Sequence, residues 1–312
     1  MILRKNLQDY LKQIISAKAN IEIEIEETLL FSGLEEVLSL LKILEIYEEA
    51  KYDVIVVDCA PTGQSLSMLT YAEKLNVLVD TILPMVQNIN SIFGSLISKK
   101  TSVPKPRDIV FEEIKNIAKK LEKLYDIFHK RDTTSIRIVT TPEQIVLEEA
   151  RRNYTCLQLY DFNVDAIYIN KLYPEKAMEG YFKDWEDIQK HNIQLAEESF
   201  SEQKLFKLEM QNNEINGKES LEKIAEILYQ NINPIEIFCQ TEAFKMDDIN
   251  GTRILSIKLP FLKAENISVK KEKDDIIISL LNERRRFHLP DKLRTRKITS
   301  YSYMNNELKI YM

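Results

Sequence analysis

"VIVVDCAPTGQ", residues 54–64, is a continuous β-branched run that ends in an aspartate and passes into a turn built from Ala60, Pro61, Thr62 and Gly63. An apolar run without alternation predicts a strand covered on both faces, as in a parallel sheet. Asp58 then falls at the C-terminal end of that strand, the edge of an open α/β sheet where ligands bind. An acid in this place can hold the water shell of a Mg²⁺ ion, and the glycine lets the turn move when a phosphate leaves. An ordinary strand-to-helix loop in which Asp58 caps the helix uses the same residues, and spacing alone does not separate the two readings.

Outward from this stretch the pattern alternates. Leu3, Leu7, Leu11 and Ile14 recur at helical spacing, as do Leu34, Leu38, Leu41 and Ile43, so two amphipathic helices precede the strand. From Leu75 to Ile97 runs an apolar stripe in which Pro84 predicts a kink. Core packing or an apolar groove for a client helix would both use it. Arg107–Lys130 carries a cleaner stripe of Val110, Ile114, Ile117, Leu121, Leu124 and Phe128. "SIRIVTTPEQIVLEEARRNY" (135–154) reads as strand, turn and helix, with Thr141 as the cap and Pro142 at the first helical position. "FNVDAIYINK" (162–171) is a second buried strand with Asn170 at its end. Strand and helix in alternation predict a doubly wound, mostly parallel sheet. After Tyr229 no helical stripe appears, and short alternating strands take over. The expected organisation is an α/β domain over 1–232, a linker over 233–250 and a small all-β domain over 251–312.

Composition narrows the function. The chain has 312 residues, 44% of them hydrophobic, and a formal net charge of −6 with both signs mixed along it. That excludes the broad positive field of a nucleic-acid binder. The basic run Arg284-Arg285-Arg286 is expected to be the solvated end of a strand. No stretch reaches the ~18 uninterrupted apolar residues of a membrane span, and the N-terminus lacks a signal-peptide core, so the expected place is the cytoplasm, free or peripheral to the inner membrane. Cys59, Cys156 and Cys239 stand singly, as reduced thiols do; only the fold could gather them into a soft thiolate site.

Several stretches together resemble the arsenical pump-driving ATPases and their relatives that target tail-anchored membrane proteins. They are "SGLEEVLSLL", "YDVIVVDCAPTGQSLSML", "VTTPEQIVLEEARRNYTCLQLYDFNVDAIYINKLYP", "LEMQNNEINGKESLEKIAEILY" and, similar to the crystallin-like β domain of many prokaryotic members, "LPFLKAENISVKKEKDDIIISLLNERRRFHLP". The resemblance implies a P-loop NTPase-like fold that binds ATP with Mg²⁺ and couples hydrolysis to delivery of an anion or a membrane-protein client. It makes Asp58 the catalytic acid that binds Mg²⁺ through water, Pro61, Thr62 and Gly63 the switch, and Asn170 the reader of adenine. Two positions depart from the pattern: Ser67 stands where an arginine is usual, and Glu209 where the loop near adenine usually has proline.

A larger departure is the phosphate-binding loop. The six glycines, Gly33, Gly63, Gly94, Gly180, Gly217 and Gly251, have no pair at its spacing, and Asn212 occupies the first-glycine position ahead of "NGKES". The segment that orients the attacking water is missing too. Phosphoryl transfer depends on positioning and electrostatics, so the chain alone is expected to be inactive, either as one part of a split or truncated ATPase or as a non-hydrolysing binding or scaffold protein. Partners expected on this basis are a second copy in a homodimer or a chain carrying the P-loop. The lost strands would also leave Val54–Val57 as an exposed edge prone to self-association.

Overall fold

The computed structural model describes residues 39–59, 108–280 and 283–312. The Leu75–Ile97 stripe, the first helix, Ser67 and the switch residues Pro61, Thr62 and Gly63 lie outside the described residues. The chain divides into two compact units, 1–127 and 128–312.

In the first unit, helix α1 (39–49) buries Leu40 and Leu44, and helix α2 (Asp108–Phe128) buries Leu121, Leu124 and Ile127. Lys123 of α2 meets Glu48 of α1 at 2.6 Å, so the two helices lie side by side. Val54–Val57 departs from the expectation of a buried strand. Residues 54–59 form no strand, and Val54, Val56 and Val57 are exposed, Val56 to 86%. A strand exists only where a neighbour takes its backbone groups, and no described strand pairs with this segment.

The second unit begins with the α/β part. Strand β1 (Ile136–Thr140), helix α3 (Gln144–Leu159), strand β2 (Val164–Leu172), helices α4 (Glu175–Met178) and α5 (Trp185–Ser199), strand β3 (Lys204–Glu209) and helix α6 (Lys218–Tyr229) follow in order. The sheet runs β1-β2-β3, all parallel, with β2 in the middle. Alternation along β2 sorts its faces. Ile167 and Ile169 are buried on one side, while on the other Tyr168 stacks on Phe206 at 4.8 Å and meets Tyr229 of α6. Asn192 of α5 donates through Nδ2 to the Pro142 carbonyl at 2.7 Å, and Tyr154 of α3 packs edge-on against Phe200, so α3 and α5 form one layer.

The helix start after β1 differs from the sequence expectation. Helix α3 opens at Gln144 with Glu143 in the cap position, and the Thr141 hydroxyl donates to the Glu143 carboxylate instead of capping. The side-chain pair satisfies Thr141 locally and leaves the first turn to solvent.

Seven more strands in the described residues complete the unit in two antiparallel sheets: β4 (Phe244–Ile249), β5 (Thr252–Lys258), β9 (Ser300–Met304) and β10 (Glu307–Tyr311) in the order β4-β5-β10-β9, and β6 (Ile267–Glu272), β7 (Asp275–Leu280) and β8 (Glu283–His288) in the order β6-β7-β8. Helix α7 (Asp291–Arg294) joins β8 to β9. Phe244 of β4 meets Phe287 of β8 at 5.2 Å, which brings the two sheets together. Strand β4 falls inside the 233–250 stretch. As an edge strand buried on neither face, "FKMDDI" has no reason to alternate cleanly.

The segment between α6 and β4 is strapped to the start of the parallel sheet. Asn163 holds it twice, Nδ2 donating to the Cys239 carbonyl at 3.0 Å and Oδ1 accepting from Thr241 N–H at 3.1 Å. Asp165, its side chain 0% exposed, pairs with Arg137 at 3.2 Å and accepts from Phe238 N–H at 3.1 Å. Arg137 in turn donates to the Pro234 and Glu236 carbonyls at 2.6 and 2.9 Å and lies 4.7 Å over the Phe238 ring.

The run Arg284-Arg285-Arg286 is split by the strand's period of two. Arg284 and Arg286 are solvated and pair with Glu272 and Asp275. Arg285 is buried, which corrects the expectation of a solvated run. Its guanidinium lies 4.3, 5.2 and 5.3 Å from the ring centres of Phe287, Phe244 and Tyr160, and it donates to the Leu159 carbonyl at the end of α3. A cation at a helix C-terminus is favoured by the helix dipole, and three rings replace part of its hydration.

Gln158, one residue before that end, is fully buried, and neither amide atom finds a partner among the described residues. An unsatisfied buried polar atom costs about 1–3 kcal/mol, whereas an apolar group of the same shape has no such cost. Gln158→Met is therefore expected to stabilise the protein by roughly 1–2 kcal/mol. Chemical denaturation would check this, and a lower midpoint would contradict it.

Candidate functional site

The parallel sheet opens at its C-terminal edge, where Thr140, Asn170 and Glu209 end or nearly end their strands. Asn170 sits on the middle of the three described parallel strands, at a break in the ladder. The β2–β3 register shifts between Ile169 and Leu172, and Lys171 adopts a left-handed φ of 57°. Asn170 Oδ1 accepts from Lys171 N–H at 2.8 Å and stabilises that bend. The bend interrupts the ladder at the C-terminal edge of the sheet. The amide keeps a second lone pair on Oδ1 and two protons on Nδ2, which is the donor-and-acceptor set that can pair with the edge of a purine. After the bulge the ladder resumes with Leu172 opposite Glu209, so Glu209 ends the adjacent strand at the same edge as Asn170.

The chain beyond β2 is held by Gln189 of α5. Its Oε1 accepts from Tyr173 N–H at 2.8 Å and its Nε2 donates to the Tyr173 carbonyl at 3.1 Å. This clamp keeps the chain leaving β2 on course. A glutamine in the second turn of another helix carries no local signal, and sequence reasoning passed over it.

Asp58 lies in the first unit, exposed at the end of the irregular segment 54–59. No described cation pairs with it, which leaves both oxygens open to the water shell of a divalent ion. Pro61, Thr62 and Gly63 lie outside the described residues, so of the expected site only Asp58 and Asn170 have a described setting, one in each unit.

"NGKES" has an ordinary structural role. Gly217, with φ 78°, takes the cap position of α6, Lys218 pairs with Glu222 on the helix surface, and the Ser220 hydroxyl donates back to the Asn216 and Gly217 carbonyls. A hydroxyl turned onto its own helix start does not serve a metal.

The cysteines form no thiolate site among the described residues. Cys156 is buried, and desolvation pushes its thiol up to about 12. Cys239 donates to the Val164 and Asp165 carbonyls at 3.7 and 3.6 Å. No group of three or more His, Cys, Asp or Glu among the described residues could hold a metal ion. No described helix is long and apolar enough to cross a membrane.

Comparison with known proteins gives two family matches. A family described as "Anion-transporting ATPase" matches residues 2–230, and an "HSP20-like domain found in ArsA" matches 250–312. The chain is 30% identical over 295 residues to a protein named as arsenical pump-driving ATPase 1 from Aquifex aeolicus, covering 93% of this chain and 74% of the relative. It is 28% identical over 297 residues to an arsenical pump-driving ATPase by name from Prosthecochloris vibrioformis, with 92% and 72% covered. The fungal "ATPase get3" of Pyrenophora tritici-repentis is 25% identical over 206 residues, with 65% and 61% covered.

Proposed function

The chain belongs to the anion-transporting ATPase family, and from that membership we propose that it forms the base-reading and switch side of an ATP site that drives delivery of an anion or a membrane-protein client. The observation that carries this reading is Asn170, an amide with free donor and acceptor capacity at the open edge of the middle parallel strand, beside a break in the ladder. Adenine would pair with Asn170. Asp58 would orient the water shell of Mg²⁺, which supplies charge neutralisation at the phosphates when bound. Pro61, Thr62 and Gly63 would follow the state of the γ-phosphate.

No stretch of these 312 residues has the glycine spacing that cradles phosphates, so we assign that part of the site to other polypeptide, such as a partner chain, with a homodimer as the frame in which two sites close. The 312-residue chain is expected to bind ATP weakly, because phosphate contacts supply much of the affinity at such sites. It is expected to release phosphate at background rate. Asn170→Ala should weaken binding of a fluorescent ATP analogue further, by roughly tenfold, as loss of two polar contacts does. Steady-state turnover that disappears in Asp58→Ala would refute the assignment of the phosphate loop elsewhere. An unchanged affinity in Asn170→Ala would refute the adenine assignment.

A further inference from the structure

The second unit has six edge strands among the described residues: β1, β3, β4, β9, β6 and β8. Exposed strand edges are pairing templates, and charged side chains are the usual guard against pairing. Five of the six carry them: Arg137 on β1, Lys204, Lys207 and Glu209 on β3, Lys245, Asp247 and Asp248 on β4, Lys270, Lys271 and Glu272 on β6, and the arginine run on β8. Strand β9, Ser300-Tyr301-Ser302-Tyr303-Met304, has none, and Tyr301 and Met304 are 44% and 70% exposed.

The outer backbone of β9 is open in a defined register. Arg253 and Met312 exchange both backbone hydrogen bonds, which directs Met312 toward β5. By alternation along β10, Tyr311, Lys309 and Glu307 bond toward β9, to Ser300, Ser302 and Met304. The N–H and C=O groups of Tyr301 and Tyr303 therefore point to the free edge.

The side chains of Tyr301 and Tyr303 share the face of their cross-strand neighbours Ile310 and Leu308, which are fully buried. Tyr303 is anchored there, its hydroxyl donating to the Leu259 carbonyl at 2.7 Å. The core face of this sheet thus runs out at Tyr301, still partly in water.

We propose that β9 is a self-association edge that pairs antiparallel with β9 of a second copy about a two-fold axis at Ser302. Tyr301 of each copy then lies opposite Tyr303 of the other, as a hydrogen-bonded pair, and the two copies' Ser302 residues face each other as the close, non-hydrogen-bonded pair. Cross-strand aromatic pairs are favourable and no charges are opposed. Two four-stranded sheets become one, and the core face continues across the axis over Tyr301. A second copy fits better than a foreign strand because the five-residue sequence is compatible with its own reversal. Self-pairing of β8 or β6 would set arginines or lysines against each other. The contact is short, so the association is concentration dependent.

Sedimentation velocity of the full chain tests this with S302K and S302E. Like charges directly opposite are destabilising, so each variant alone is expected to lose an association step that the wild type shows, and an equimolar mixture is expected to regain it. S302E, whose carboxylate lies opposite Lys309 of its own chain, is the variant of higher stability, and Ser302→Thr should keep the wild-type behaviour. Variants with native circular dichroism that associate like the wild type would overturn the proposal, as would a mixture that stays monomeric. A wild-type chain monomeric at every concentration, yet protected along β9 from hydrogen exchange by an added peptide of alternating Val and Thr, would assign the edge to a foreign strand and overturn self-pairing.

Discussion

Asp165→Ala is expected to destabilise the protein by about 3–5 kcal/mol, the cost of removing one partner from a buried ion pair. Asp165 has no solvent to fall back on, and its carboxylate serves both Arg137 and the Phe238 N–H. Its loss leaves a guanidinium without its counter-charge and a backbone donor without an acceptor. The Arg137 bonds to the Pro234 and Glu236 carbonyls and the Asn163 bonds to Cys239 and Thr241 then hold the strap without the buried carboxylate. With roughly 2–4 °C of Tm per kcal/mol in a protein of this size class, the thermal transition should fall by about 10 °C. Asp165→Asn keeps an acceptor for Phe238 and should lose less. A drop below about 1 kcal/mol in Asp165→Ala would mean that Asn163, with its bonds to Cys239 and Thr241, carries the strap by itself.

Arg285→Ala should have an effect of similar size for a different reason. The change orphans the Leu159 carbonyl, removes a cation from three aromatic faces and opens a cavity where α3 meets the β sheets. A hydrogen bond to a charged group contributes about 1.5–3 kcal/mol, and a desolvated cation–π contact about 2. These are not additive, so a net loss of about 3–4 kcal/mol is expected from chemical denaturation. Arg285→Met fills the volume without the charge and should recover part of the loss. If methionine matched arginine fully, the guanidinium would contribute nothing beyond its bulk. Arg286→Ala, on the solvated side of the same strand, should change stability by under about 0.5 kcal/mol.

The comparison of neighbours one residue apart explains how far the sequence could be read. A run of three arginines has one local meaning, a charged and solvated surface, and Arg284 and Arg286 have it. Arg285 escapes because the strand's alternation turns it inward, toward a carbonyl 126 residues earlier in the chain. The 233–250 stretch is similar. "NPIEIFCQTEAF" has no periodicity because its partners are single side chains at the start of β1 and β2, and a strap held by Asn163, Asp165 and Arg137 needs no pattern of its own.

Helix α2, the β1–α3 unit and strand β2 were legible because their signals are local. A stripe of period 3.6 and an apolar run ending in a polar residue act over a few neighbours, and the same interactions exist in the unfolded chain. The family was legible for the same reason, since its motifs are short and occur in order. By itself, then, the sequence determined the α/β plan, the all-β C-terminal region and the position of Asn170 near the end of a parallel strand. Only the tertiary structure decided the bulge beside Asn170, the burial of Arg285 and Asp165, and the absence of strand pairing at residues 54–57 among the described strands. Each of these depends on whether a particular distant group is present to take a hydrogen bond or a charge. An apolar β-branched run becomes a buried strand only where another strand accepts its backbone, and a charged residue leaves water only where a partner replaces that water.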